Sequence, residues 1–394
     1  MNEYVIISEK AEKSVRDGHP WVFEDEIKEV CGDISDGNLV RVKNLKGRFL
    51  GTGFYNSHSK IRVRLISENA NDKFDEQFYF RRLKWAVDYR KTVMGDDFSC
   101  CRIIFGEADR FPGFTVDRFE NVLVTEVLSL GIEKIKDLLY RQLLEIFEEM
   151  GEKIDIIYER NDAPIREKEG MEQYKGFWYG EGDGFVNITE NGIKYRVDYI
   201  NGQKTGFFLD QKYNRAAISR IAKGRKVLDC FTHTGAFALN AAMGGAKSVT
   251  AVDISATALE SASENARLND LDIEFVKADV FDLLTNMKGG GYDFIILDPP
   301  AFTKSSSTVR NAYFGYKEIN KLAMKNLPRG GYFATCSCSH FMPARLFEKM
   351  LSEASREASV TLRQIEMRQQ SPDHPILPTV PETDYLKFYI FQVV

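Results

Sequence analysis

Residues 227–239 read VLDCFTHTGAFAL. A short apolar run closes on an acid and a cysteine, a turn follows with a single glycine, Gly235, and a second apolar run begins. That is one strand, one turn and the start of one helix. The pattern recurs. Lys226–Cys230, Ser248–Asp253, Ile273–Val276, Tyr292–Leu297 and Tyr332–Ser337 read as short buried strands. Helical spacing fills most of the gaps, at Ala236–Met243, at Ala256–Leu268 behind an N-capping Ser255, and at Tyr313–Leu327. Two further strands are expected near Val360–Met367 and Leu386–Val393. Strands that alternate with helices predict a parallel, doubly wound α/β sheet over residues 191–394. Ligands of such sheets bind at the carboxyl ends of the strands.

Those ends carry acids. Asp229 closes the first strand, and Phe231, Thr234 and Gly235 form the turn beyond it. A nicotinamide-dinucleotide fold would show G-x-G-x-x-G here, so the lone Gly235 counts against that cofactor. Asp253 and Ile254 end the second strand, and an acid at that point accepts both hydrogen bonds of a ribose diol. Asp279 and Val280 follow the third, where a carboxylate can take an exocyclic adenine amine. Each acid alone reads as a helix cap. Three in succession would repel a phosphate and suit a ligand with a ribose, an adenine and an ammonium, which describes S-adenosylmethionine. The fourth strand runs into LDPPAF (297–302). Pro299 and Pro300 fix that turn, Asp298 stands at the centre of the cleft, and Phe302 can stack on a flat ring. The polar loop TKSSSTVRNA (303–312) offers Lys304 and Arg310 to phosphates and leads to Tyr316, a candidate for base stacking.

Two blocks precede this sheet. Residues 1–72 read as short strands and turns, a small β-barrel. Within them, 40–65 (VRVKNLKGRFLGTGFYNSHSKIRVRL) holds seven Lys or Arg and no Asp or Glu. Strands that alternate apolar with basic residues bury one face and offer a cationic one, here Arg41, Lys43, Arg62 and Arg64, which points to RNA. Residues 73–190 open with a charged helix and continue as a small α+β module. The chain as a whole has 394 residues and a formal net charge of −5. No apolar run reaches the roughly 18 residues of a membrane helix, and the N-terminus lacks the pattern of a signal peptide. Six scattered cysteines without a C-x-x-C pair argue for a reducing cytoplasm and against structural zinc.

TCSCSH (335–340) ends the fifth strand with two cysteines. Residues two apart on a strand face the same way, so Cys336 and Cys338 point together and Ser337 points away. Both could be core. Cys338 falls at or past the carboxyl end, beside the Asp298 turn. Carbon-5 of cytosine is a poor nucleophile until a thiolate adds to carbon-6. Cys338 is expected to supply that thiolate and Asp298 to relay the proton. The alternative chemistry needs no thiol: D-P-P-[FY] turns also serve the methylation of exocyclic amines of adenine or guanine. A third alternative is a non-catalytic RNA-binding assembly factor with a vestigial cofactor fold.

The set VLDCFTHTGAF, AVDIS, LDPPAF and TCSCS resembles class I methyltransferases. With GHPWVF (18–23), GQKTGFFLDQ (202–211) and PDHP (372–375), nearly the whole chain resembles the RlmI type of ribosomal RNA large-subunit methyltransferase, which makes 5-methylcytosine in 23S rRNA. The resemblance implies an N-terminal PUA domain, a central α+β domain and a C-terminal Rossmann-like, seven-stranded methyltransferase domain. It implies that GQKTGFFLDQ borders the cofactor, with Lys204, Phe207, Phe208 and Asp210 as contacts. It also implies a homodimer. T-C-S in distant cytosine-5 enzymes would select Cys336. The S-C-S of the RlmI type selects Cys338, the better match here.

Overall fold

The computed structural model describes residues 3–289, 291–303 and 305–394. They divide into two compact units. The first holds Met1–Ile188, Val197–Leu209 and Pro372–Thr383, and the second Thr189–Arg196, Asp210–Ser371 and Asp384–Val394.

The first unit opens with β1 (Tyr4–Ile7), α1 (Glu9–Arg16), β2 (Trp21–Phe23), β3 (Ile27–Cys31), β4 (Leu39–Lys43), β5 (Phe49–Tyr55) and β6 (Ile61–Ser67). The strands form one sheet in the order β2-β6-β5-β4-β1-β3. Period-2 alternation aims Val5, Ile7, Val40, Val42, Val63 and Leu65 into one core. Helix α1 was not legible as a helix, because only Ala11 and Val15 mark its buried face. Its N-cap is local chemistry: the Ser8 hydroxyl accepts the Ala11 N–H. Next come α2 (Glu76–Met94), β7 (Cys100–Phe105), β8 (Phe114–Phe119), β9 (Val122–Val127), α3 (Leu130–Glu149), β10 (Ile156–Asn161), the short α4 (Ile165–Lys168) and β11 (Tyr174–Tyr179). Their sheet runs β11-β10-β9-β8-β7. Only its β9–β10 pair is parallel.

Two distant pieces of chain complete this unit. The Thr205 hydroxyl donates to Asp117 at 2.6 Å and Arg160 donates to the Gly202 carbonyl at 2.8 Å. From PDHP, the Asp373 carboxylate accepts the Arg102 N–H at 2.7 Å, and its carbonyl accepts from the fully buried Arg90. His374 is buried as well, 2.9 Å from the Asp373 carboxylate, with its ring 5.3 Å from that of Phe105.

The hairpin β12 (Phe185–Glu190) and β13 (Ile193–Asp198) precedes α5 (Lys212–Ala222). The second unit then runs β14 (Lys226–Cys230), α6 (Ala236–Met243), β15 (Ser248–Asp253), α7 (Ala256–Leu268), β16 (Glu274–Lys277), α8 (Val280–Asn286), β17 (Phe294–Leu297), α9 (Val309–Asn326), β18 (Tyr332–Ser337), α10 (Ala344–Glu357), β19 (Leu362–Arg368) and β20 (Lys387–Val393). The seven-stranded order is β16-β15-β14-β17-β18-β20-β19. The expected sheet is present, with one difference: β20 lies antiparallel between β18 and β19. Register pairs Cys230 with Leu297 and Leu297 with Thr335. The first residues beyond these, Phe231, Asp298 and Cys336, therefore share one end of the sheet.

Candidate active site

The turn after β14 is built by Asp229. Its side chain is fully buried, and Oδ2 accepts the Thr232 hydroxyl at 2.6 Å and the Ala238 N–H at 3.0 Å. The turn alternates into the left-handed region at Phe231 (φ 64°), His233 (φ 51°) and Gly235 (φ 82°). A bulky residue such as Phe231 held there is strained, of order 1–3 kcal/mol, and such strain concentrates where a ligand binds. A Cβ on Gly235 would come within 2.8 Å of Leu239 and 3.0 Å of Ala262, so helix α6 packs as it does only with glycine here. Asp253 accepts the N–H groups of His233 and Ser255, both at 2.9 Å. Ile254 beside it is 65% exposed, an apolar surface at a polar strand end. Asp279 caps α8 by accepting from Phe281 and Asp282. Val280 differs from expectation. Its side chain is buried in the core beneath the sheet, so only its main chain is left for a ligand.

Three carboxylates then converge. Asp298 lies at the end of β17, and the Cys336 thiol donates to its Oδ1 at 2.9 Å. Gln211 reaches both of its oxygens at 3.4 Å. Burial, with the charge of Asp210, pushes the Asp298 carboxyl up to about 6. Burial likewise pushes Asp229 up to about 7, helped by the charges of Asp298 and Asp253. Asp210 accepts the Tyr385 hydroxyl at 2.6 Å through Oδ2. Its Oδ1, and Oδ1 of Asp229, are buried with no hydrogen-bond partner among the described residues. Buried carboxylate oxygens left in this state are unfavourable unless a donor arrives. A ligand ammonium is such a donor, and a nearby sulfonium adds a favourable positive charge, so the residues fit S-adenosylmethionine.

The two cysteines occupy different environments. Cys336 is fully buried, and burial with the Asp298 carboxylate drives its thiol far above the usual range. Cys338 is partly exposed, one residue past the end of β18. The turn around it is held by Lys387 of β20, whose ammonium donates to the carbonyls of Ser339 at 2.6 Å and Tyr385 at 2.7 Å. Burial lowers Lys387 to about 8, partly offset by the nearby Cys338, Asp384 and Cys336. Sequence reasoning missed Lys387 and Gln211. The first left a signal, a lone lysine in the apolar run LKFYIFQVV. The second adjoins Asp210 in GQKTGFFLDQ.

Around the DPPAF turn, Pro299 is buried, Pro300 is exposed and Phe302 is half-buried with its ring 4.6 Å from that of Tyr316. Tyr316 corrects an expectation. It is fully buried on α9, its hydroxyl accepts from Ser337 at 3.1 Å, and it packs on Phe347, so no base reaches it. Arg310 is exposed in the first turn of α9. Lys304 lies outside the described residues.

Residues of the first unit answer differently. In GQKTGFFLDQ, Lys204 is exposed at φ 52°, Phe207 is buried and Phe208 is half-buried. The cationic face expected over 40–65 is reduced. Arg62 pairs with Glu24 at 2.5 Å, and Arg64 pairs with Glu169 at 2.9 Å and Glu107 at 3.5 Å, with side chains only 12% and 11% exposed. The stretch lacks acids, but the fold brings them from elsewhere. Arg41 remains exposed, and Lys43 sits 3.6 Å above the Tyr4 ring.

The fold and its strand-end acids are those of an S-adenosylmethionine-dependent methyltransferase. The family model of that description matches residues 172–392, and a PUA-like domain model matches residues 5–68. Curated relatives named ribosomal RNA large subunit methyltransferase I include those of Pseudoalteromonas translucida and Aeromonas salmonicida. The former is 41% identical over all of both chains, and the latter 39% identical over 98% of each. The chain belongs to the ribosomal RNA large subunit methyltransferase I family. In fold it superposes on a chain described as an S-adenosylmethionine-dependent methyltransferase from Streptococcus mutans, at TM-score 0.84 and 23% identity over 99% of this chain and 100% of that one. A methyltransferase crystallised with S-adenosylhomocysteine matches with the same TM-score, identity and coverage.

Proposed function

We propose that the chain methylates carbon-5 of a cytosine in large-subunit ribosomal RNA, with Cys338 as the nucleophile. The observation that carries this reading is the contrast between the two cysteines. A catalytic thiol must ionise and must reach a base. Cys336 is enclosed and hydrogen-bonded to a carboxylate, which opposes ionisation. Cys338 is accessible, and a buried ammonium braces its turn.

S-adenosylmethionine supplies an electrophilic methyl group on a sulfonium. Asp210 and Asp229 favour its cationic amino-acid end, Asp253 its ribose and Asp279 its adenine amine. Ile254, Phe231, Thr234 and Gly235 shape the wall, and Lys204, Phe207 and Phe208 contribute from the GQKTGFFLDQ segment as the family resemblance implies. The Cys338 thiolate adds to carbon-6, and the displaced ring electron pair makes carbon-5 nucleophilic. Carbon-5 takes the methyl group as its bond to sulfur breaks. Asp298, ionised above about pH 6, then accepts the carbon-5 proton, the ring double bond re-forms, and the Cys338 thiolate leaves. Pro299, Pro300 and Phe302 hold the base, and Arg310 and Arg41 meet phosphates.

The family names large-subunit ribosomal RNA as substrate, which fits a cytoplasmic protein. Among the described residues no helix is long and apolar enough to cross a membrane. The three blocks 1–72, 73–190 and 191–394 serve as RNA-binding, central and catalytic domains in this reading. The homodimer implied by the resemblance is read by sedimentation of the full chain. The test of function uses unmethylated ribosomal RNA and labelled S-adenosylmethionine. Label in 5-methylcytidine, lost in Cys338→Ala, supports the reading. Label in a methylated adenosine or guanosine, unaffected by that substitution, overturns it and moves the chemistry to the DPPAF turn.

A further inference from the structure

With Arg62 and Arg64 committed to acids, the first unit still has an open basic surface, on a different element. Trp85 of α2 is 61% exposed. An indole left in water contributes little to the fold, and its flat apolar body with a polar N–H suits an interface. One helical turn earlier on the same face, Arg81 is exposed, with its guanidinium 5.6 Å from the Trp85 ring and 5.9 Å from that of Phe78. It has no ion pair among the described residues. Trp85 and Arg81 border a cleft of about 300 Å³ that Ser67, Asn69, Arg82 and Arg110 also line.

The acids of this cleft are already engaged. Asp72 accepts from Ser67 at 2.5 Å and Asn69 at 3.0 Å and lies 4.0 Å from Arg82. Glu68 pairs with Arg110 at 3.1 Å, both side chains being more than a third exposed, an arrangement that is weak and opens readily. Arg110 is held in the left-handed region, at φ 61°, where a non-glycine residue is strained. Burial and the crowding of Arg110 and Arg81 lower Arg82 to about 10, which an arriving anion would relieve.

We infer that this cleft binds a single-stranded segment of the RNA substrate, one base stacking on Trp85 and the adjoining phosphates meeting Arg81 and Arg110. The chemistry is that of sequence-tolerant RNA binding, an aromatic platform beside guanidinium groups. The inference rests on the RNA-methyltransferase reading above and adds a second contact region to it.

The test uses the full chain and an unmethylated large-subunit ribosomal RNA transcript. Trp85→Ala raises KM for the transcript about tenfold, the effect of losing one base–aromatic stack, and the Kd for S-adenosylmethionine holds. Arg81→Gln weakens binding and lowers the slope of log Kd against log salt by about one. RNA quenches the tryptophan emission of Trp178→Phe but not that of Trp85→Phe. Wild-type transfer to RNA with both cleft variants at wild-type KM overturns the cleft and leaves the function standing. A loss seen only on assembled particles, with naked RNA bound normally, overturns the RNA assignment in favour of a protein contact. A wild-type chain that neither binds nor methylates RNA overturns the parent reading and this one together.

Discussion

Asp298 links Cys336 to the cofactor end of the sheet. The Cys336 hydrogen bond favours its ionised form. Cys336→Ala removes that bond, so the acid limb of the kcat/KM profile should move up by about one pH unit, the worth of one hydrogen bond to a charged group. An unmoved limb would show that another group controls it. Asp229 gives a binding test. Its folded pKa, about 7, lies above the usual 3.8. As pH rises from about 4 to about 7 the unfolded chain ionises first, so this group lowers stability through that window. A bound cation favours the ionised carboxylate. Affinity for S-adenosylmethionine should therefore climb between about pH 5.5 and pH 7.5, and calorimetry on Asp229→Asn should find the climb flattened. The acids were legible in the sequence because each sits at the end of an apolar strand. The split between Cys336 and Cys338 was legible only in part. Spacing put both thiols on one side, but their burial depends on β20 and on Gln211, which are distant in sequence.

At the scale of elements, β18 and β20 act as a pair. The antiparallel register sets Ser337 opposite Lys387, and the lysine reaches past the strand end to the carbonyl of Ser339. Replacing Lys387 with Met keeps the length of the side chain and removes its charge. Alkylation of Cys338 near neutral pH, followed by mass spectrometry of its peptide, should then slow about tenfold as the thiol pKa rises by about one unit. An unchanged rate would mean that the ammonium only braces the turn. Gly235→Ala tests the other side of the sheet. Both the positive φ and the 2.8 Å approach to Leu239 oppose a methyl group, so a loss of about 1–3 kcal/mol is expected in denaturant titration. The sheet strands were readable because parallel strands buried on both faces are continuous apolar runs. Helices α5, α8 and α10 were not, and neither was the fate of Arg62 and Arg64. The acids that claim these arginines, at positions 24, 107 and 169, come from three other segments, and no local window contains them.

The whole molecule is interleaved. Each unit is assembled from three separate pieces of chain, and the pieces are joined by buried polar contacts rather than by apolar surface alone. Arg90, fully buried, pairs with Asp109 at 2.5 Å and holds the Asp373 carbonyl. Arg90→Leu leaves Asp109 unpaired in a low-dielectric setting, which should remove about 3–5 kcal/mol and lower Tm markedly. The same contacts should make a 1–188 fragment much less stable to urea than the full chain, because it lacks the Thr205 partner of Asp117 and the Asp373 partner of Arg102. The segment 372–383 has a further effect, on the order of events during synthesis. N-terminal domains ordinarily fold while the remainder of a chain is still being made, at roughly 5–20 residues per second. Here the strands of the first unit's two sheets all lie within residues 4–179, but its last piece, 372–383, is made about 195 residues after residue 188, the end of its first. Arg90 and the Arg102 N–H therefore wait roughly 10–40 s for their Asp373 partner, a window in which a nascent-chain chaperone would find its binding surface on the oldest part of the protein.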